Sequence, residues 1–213
     1  MVKIERTPTP PASLSKRSSY KETDVLQQLN KDFYGKCYLC EINKLQSIHV
    51  EHLRPHDNHQ NKDREFDWHN LFLSCPHCNL VKKAPKYTDM ILDCCKDDPE
   101  AAINQTFANG HVSVLALQAT LEAKMTAMLL TECFEKTNTG IRILECQTRI
   151  NALSQTMNLL YKCLEIYQKS PSDRNLRTLR GMLSRTYKFA GFTRAYVREH
   201  LDLYPGLAEY VQI

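Results

Sequence analysis

Val25, Leu29 and Phe33 recur at helical spacing in an otherwise polar stretch, so a short helix is predicted there. Thr23 or Asp24 can cap its start, and Gly35 ends it. Leu117, Leu121, Met125 and Met128 trace a second helical stripe, and Leu153, Met157, Leu160, Leu164 and Tyr167 a third. Ser170-Pro171 opens a further predicted helix whose inward positions are Leu176, Leu179, Leu183, Tyr187 and Ala190, with Gly191 and Pro205 punctuating its end. Between the first two stripes lies "INQTFANGHVSVLA", in which Asn109-Gly110 joins β-prone flanks, so a hairpin is expected near 103–115. Residues 1–21 carry Pro8, Pro10 and Pro11 in "TPTPPAS" and read as an extended arm. No internal repeat interrupts this order.

One stretch fits none of these periods. From Cys37 to about Lys86 the chain is dense in Cys, His, Asn, Asp and Lys with only short apolar pieces. So small and polar a module builds little core of its own and needs a staple. Cys37-Tyr-Leu-Cys40 and Cys75-Pro-His-Cys78 supply one. Each CxxC turn aims two thiolates at one point, and two such turns together make the four-sulfur tetrahedron that Zn²⁺ prefers. A closed site of this kind is structural, and its binding energy is folding energy. His77, inside the second turn, is an alternative ligand. Cys133, Cys146 and Cys163 read as buried thiols within helices, and Cys94-Cys95 as packing or loop.

Composition narrows the class. Hydrophobic residues make up 42% of the 213 and charged residues 24%, the balance of a globular protein. No apolar run is long enough to span a bilayer and the N-terminus lacks a secretory core, so a cytoplasmic location without membrane association is expected. Nine cysteines, an odd number, argue for reduced thiols and against a disulfide framework. Net charge is +4, yet nine Lys/Arg face three acids between Lys162 and Glu199, which leaves −2 on the remainder. A basic C-terminal third suits either a polyanionic partner or a solvated helix face.

The segment between the CxxC pairs contains "VEHLRP" (50–55) and "FDWHNLFLSCPHCNLVKK" (66–83). The order acid-His, Asn, CxxC-Asn, Lys over residues 37–83 resembles the HNH endonuclease motif, a ββα-metal finger clamped by two CxxC knuckles. The resemblance implies an α+β fold: a zinc-stapled finger inserted in a mainly helical protein. It divides the chain into the arm (1–21), the finger with its leading helix (22–90) and a mainly helical remainder (91–213). Phosphodiester hydrolysis needs an activated water and a Lewis acid at the phosphate. His52, which titrates near neutrality, is the expected general base. Glu51 and the amide oxygen of Asn79 are the expected ligands of a catalytic Mg²⁺ or Mn²⁺, which takes one or two protein oxygens. Asn70 is expected to hold the loop that orients the base, and Arg54, Lys82 and Lys83 to contact phosphates. Strand alternation would send Glu51 and His52 to opposite faces unless the strand bends or ends there. The chain departs from the commoner pattern at Glu51, where many relatives have Asp, and at Asn79, where many have His. His49, His56, His59 and His69 receive no catalytic role on this reading, and Trp68 is read as a packing anchor.

The layout beyond the finger, from "MVKIERTPTPPASL" through "FYGKCYLCE" to "TECFEKTNTGIRILECQTRI", resembles the HNH subunit of Septu-type anti-phage defence systems (PtuB) and retron-associated relatives. That resemblance implies a bacterial nuclease working with an ABC/SMC-like ATPase partner, with phage DNA as substrate and tRNA as the alternative. The arm and the exposed helical faces would be docking surfaces. Two other classes compete: a non-enzymatic zinc module that binds nucleic acid, and a helical adaptor whose finger only supports an interface.

Overall fold

The spacing of Val25, Leu29 and Phe33 is realised as the buried face of α1 (Thr23–Asp32) in the computed structural model, which describes residues 1–83, 85–87 and 89–213. Tyr34 and Gly35 both take positive φ, and the Gly35 N–H closes on the Asn30 carbonyl at 2.8 Å. This reversal ends the helix and delivers the chain to the first CxxC turn. β1 (His49–His52) then pairs antiparallel with β2 (Leu71–Ser74), with His49 opposite Ser74 and His52 opposite Leu71. A braced loop carrying α2 (Lys62–Phe66) joins them, and α3 (Pro76–Lys82) follows directly, its N-terminus capped by Cys75. The result is a mixed α+β architecture with two small sheets.

The second sheet is the expected hairpin. β3 (Ile103–Ala108) and β4 (His111–Ala116) flank Asn109 and Gly110, whose φ values of 52° and 79° make the two-residue turn that matches strand twist. A short α4 (Pro99–Ala102) precedes β3. α5 (Leu121–Glu135) packs on this hairpin, on α3 and on α6 (Gly140–Lys169). The predicted stripe on α5 is wrong in phase. Leu117, Leu121 and Met128 are exposed, and the inward face is Ala123, Ala127, Leu130 and Phe134 with Leu129 and Cys133 beside them. Thr120 caps the helix, which leaves Leu117 outside it.

The stripe on α6 holds: Leu153, Met157, Leu160 and Leu164 are all buried. The helix predicted from Ser170-Pro171 to Ala190 stops at Met182, and a separate helix begins at Ala190. Ser172 caps α7 (Asp173–Met182), and the chain turns before α8 (Ala190–Glu199). Gly191, read as a terminator, lies in the first turn of α8. A Cβ there would sit 2.7 Å from the Met1 nitrogen and against the Gln105 side chain, so glycine is what lets α8 reach this wall.

The N-terminal segment is not extended throughout, because Ala12–Lys16 form a 3-10 turn after Pro11, and it is not a detached arm. Met1, Val2, Ile4 and Leu14 are buried. The Ile4 N–H donates to the Cys94 carbonyl at 2.8 Å, and the Trp68 indole N–H to the Thr7 carbonyl at 2.8 Å. The Arg6 guanidinium lies 4.2 Å from the Trp68 ring centre. One hydrophobic cluster runs from these residues through the β1–β2–α3 unit to Val211. The expected boundaries near 21 and 90 therefore do not separate independent cores. Among the described residues, no helix is long and apolar enough to cross a membrane.

Candidate active site and metal centre

The two CxxC turns meet. The Tyr38 N–H donates to the Leu73 carbonyl at 2.9 Å, tying the first turn to β2, while Cys75 caps α3 through its sulfur. The sulfurs of Cys37, Cys40, Cys75 and Cys78 lie within 4.8 Å of one another, and all four residues are buried. Cys40 Sγ and Cys75 Sγ are 3.9 Å apart. A zinc ion bonded to four sulfurs at about 2.3 Å puts them about 3.8 Å apart, so the cluster has the dimensions of a zinc site. His77 is not part of it, because its Nε2 faces the Cys133 carbonyl at 3.0 Å. Among the described residues this is the one group of three or more His, Cys, Asp or Glu donors close enough to share an ion.

Arg149, from the middle of α6, supplies a second observation. Its side chain is only 4% exposed, yet its Nη2 lies 3.0 Å from Cys75 Sγ. Burying a guanidinium is costly unless negative charge faces it. Burial works against its charge, but the sulfurs of Cys40, Cys78 and Cys75 more than offset that and raise its pKa. Four thiolates around one Zn²⁺ carry −2, the charge this arginine suits. Hydrogen bonds from Cys37, Cys40 and Cys78 hold the Cys75 thiol far below its usual range, while burial pushes Cys40 and Cys78 up. Ionising those two takes a cation among the sulfurs.

A cleft of about 790 Å³ opens beside this centre, and His49, Glu51, His52, Asn79 and Lys83 line it. His52 Nε2 lies 3.0 Å from the Glu65 carbonyl. A carbonyl only accepts, so Nε2 carries the hydrogen and Nδ1 is the nitrogen that can take a proton. Burial lowers the His52 pKa to about 4, against the opposing pull of that carbonyl, so the ring is neutral at pH 7. Tyr20 packs edge-on against it with ring centres 4.6 Å apart, and His56 does so at 4.4 Å.

Glu51 and His52 share the cleft although they alternate along β1. The strand stops at His52, and the chain bends away where Asn70 seizes it. Asn70 Oδ1 accepts from the Arg54 N–H at 2.7 Å, and its Nδ2 donates to the carbonyls of Arg54 at 2.9 Å and Arg64 at 2.8 Å. It thus pins the loop beside His52 from behind, without lining the cleft.

Glu51 is buried and paired. Lys82 Nζ lies 2.6 Å from its Oε1, and the Tyr38 hydroxyl donates to its Oε2 at 2.6 Å. Lys82 Nζ also donates to the His52 and Leu53 carbonyls at 3.0 Å each. All three of its hydrogens are spent inside the protein, so the expected phosphate contact at Lys82 is corrected to a buried ion pair. Arg54 turns its guanidinium to the Asp89 carbonyl and is not among the cleft-lining residues, whereas Lys83 is exposed at the mouth. Asn79 Nδ2 lies 2.9 Å from His49 Nδ1, which leaves Oδ1 as its atom for a cation.

The basic C-terminal third is also partly internal. Arg185, Arg194 and Arg198 converge on the buried Glu100 at 2.8, 2.7 and 2.5 Å, and Lys169 pairs with Glu165. Arg174, Arg177 and Arg180 of α7 remain exposed. Sequence reasoning missed His49, Tyr38 and Tyr20 as parts of the site. His49 had a signal, since it shares a strand face with Glu51; Tyr20, far away in the chain, had none. No protein-family model matches this sequence, and no curated protein matches it.

Proposed function

We propose that the chain is a metal-dependent endonuclease of the HNH type, which hydrolyses phosphodiester bonds of nucleic acid. The observation that carries the reading is His52: a neutral imidazole, oriented through Nε2 by a backbone carbonyl, in a cleft shared with a carboxylate and an amide. Nδ1 takes the proton of a water as that water attacks phosphorus, and the phosphorus–oxygen bond opposite breaks. The Glu65 carbonyl, bonded to Nε2–H, supports the imidazolium that forms. Glu51 and Asn79 Oδ1 would hold Mg²⁺ or Mn²⁺, which when bound polarises the phosphate and neutralises charge on the leaving oxygen. They fit that role because each carboxylate oxygen of Glu51 has a lone pair beyond its bond to Lys82 or Tyr38. Zinc in the four-cysteine cluster staples the unit.

The layout of the whole chain extends this reading to a bacterial anti-phage complex with an ATPase of the ABC/SMC type and phage DNA as substrate. Ile141, Ile143 and Leu144 at the head of α6 leave apolar surface for such a partner to cover. The test offers supercoiled plasmid and total tRNA to the purified chain, with and without that ATPase, in Mg²⁺ or Mn²⁺. His52→Ala is expected to abolish cleavage with zinc content unchanged and the fold retained by circular dichroism. Cleavage retained in that variant overturns the assignment, and cleavage of tRNA alone reassigns the substrate.

A further inference from the structure

The cleft has a second wall that the motif does not include. Tyr20 and Lys21, from the turn ahead of α1, line it together with the β1 and α3 residues. The wall is built and anchored. The Ser13 N–H and hydroxyl donate to the Asp24 carboxylate at 3.0 and 2.5 Å, the Lys21 N–H donates to Ser19 Oγ at 3.1 Å, and Arg17 pairs with Asp63 at 2.6 Å. Tyr20 rests on His52, and Lys21 Nζ stands 5.2 Å from the Tyr20 ring centre with its side chain exposed.

Charge at the mouth can be read residue by residue. The lining contains Lys21, Lys82 and Lys83 against Glu51 and Asp57. Lys82 and Glu51 cancel as a buried pair, so what faces an incoming polymer is Lys21 and Lys83 with Asp57 between them in charge, net +1. Two ammonium groups are thus presented by elements far apart in sequence, one after the N-terminal segment and one at the end of α3. Point charges of this kind take phosphates without regard to base.

We propose that Tyr20 and Lys21 form a substrate-binding wall: Lys21 holds a backbone phosphate next to the scissile one, across the cleft from Lys83, and Tyr20 positions His52. This rests on the nuclease reading for the identity of the polymer, and it adds two residues that the finger motif does not contain.

The test separates the two claims. Binding of a short labelled DNA duplex is followed by fluorescence anisotropy from 50 to 200 mM salt, with the full chain carrying His52→Ala so that nothing is cut. Lys21→Ala in that background is expected to shrink the slope of log affinity against log salt by about 0.9, so affinity falls about 3-fold less across that range. Lys83→Ala should do the same, and Lys124→Ala, on the exposed side of α5, should change nothing. In the cutting enzyme, Lys21→Ala should raise KM with kcat retained. Tyr20→Ala should lower kcat, and Tyr20→Phe, which keeps the ring, should restore it. An unchanged slope for Lys21→Ala, a slope that responds instead to Arg177→Ala on α7, or no binding of the duplex overturns the proposal. Binding with the expected slope changes but no cleavage by wild type overturns the nuclease reading and leaves the wall standing.

Discussion

Arg149→Met should weaken zinc binding about 10- to 100-fold while the helix that carries it stays folded. The substitution removes the guanidinium and keeps a stem of similar volume. What is lost is a hydrogen bond of 3.0 Å from a buried cation to Cys75 Sγ. Hydrogen bonds to charged groups contribute about 1.5–3 kcal/mol. Outer-shell partners of metal ligands typically matter by about 10- to 100-fold in affinity, or about 1.4–2.7 kcal/mol, and the two ranges overlap. The other partner of Arg149 is Glu145, one turn earlier at 2.7 Å and 45% exposed. Glu145 is the half-exposed end of that pair, and glutamine keeps an acceptor for the guanidinium, so Glu145→Gln should shift zinc affinity less than about 3-fold. The assay is competition against a chromophoric chelator at fixed pH, with circular dichroism as the check on folding. Arg149→Lys keeps a charge without the fork and should fall between. If Arg149→Met holds zinc as tightly as wild type, the arginine is packing and its placement says nothing about charge in the sulfur cluster.

Two further outcomes are expected. Cys78→Ser should lose the metal and unfold the β1–β2–α3 unit, whereas Cys163→Ser, half-buried and outside the cluster, should keep full zinc stoichiometry; equal zinc content in both variants by elemental analysis would refute the frame. Glu100→Gln should cost about 3–5 kcal/mol near pH 7, because it leaves Arg194 buried without its carboxylate. Burial alone would raise the Glu100 pKa, but Arg194 and Arg198 bring it below the usual carboxylate range. Its ionised form therefore stabilises the fold above about pH 4.3 and that contribution fades as acid protonates it. Urea unfolding across pH should show a constant gap between wild type and variant near neutrality that narrows below pH 4.3; a gap unchanged at pH 3 speaks against the ion cluster.

The parts of the fold legible in sequence are those set by local chemistry. Asn109-Gly110 fixed a hairpin because both residues tolerate positive φ, and the CxxC spacings fixed which sulfurs meet. The α6 stripe was also readable, and it held an unused signal. Cys146, Arg149, Leu153, Met157 and Leu160 fall on one helical face, so a charge stood inside an apolar row. That pattern asks for a buried counter-charge, although the counter-charge itself, about 70 residues upstream, is a tertiary fact. The α5 stripe misled because bulk was taken for burial: the small Ala123 and Ala127 lie on the buried face, whereas Leu117, Leu121 and Met128 are exposed. The N-terminal segment misled because proline content reports backbone shape and says nothing of what an extended chain lies against.

The loop from Leu53 to Arg64 shows why the expected site residues differ so much in kind. His59 Nδ1 and Lys62 Nζ grip the Glu65 carboxylate at 2.6 and 2.8 Å, Asn61 caps α2 by accepting from the Arg64 N–H at 3.0 Å, and Asp57, Asn58 and His59 all take positive φ to turn the chain. These contacts fix the Glu65 carbonyl, and that carbonyl alone selects the His52 tautomer. Asn70 closes the loop from the other side with one acceptor and two donated bonds. Aspartate there would set a carboxylate against two carbonyl oxygens, and leucine would leave three backbone groups unpaired, so only an amide satisfies the position. On the proposed nuclease reading, Asn70 would act without touching substrate, through the backbone that aims His52, whereas Glu51, His52 and Asn79 line the cleft itself.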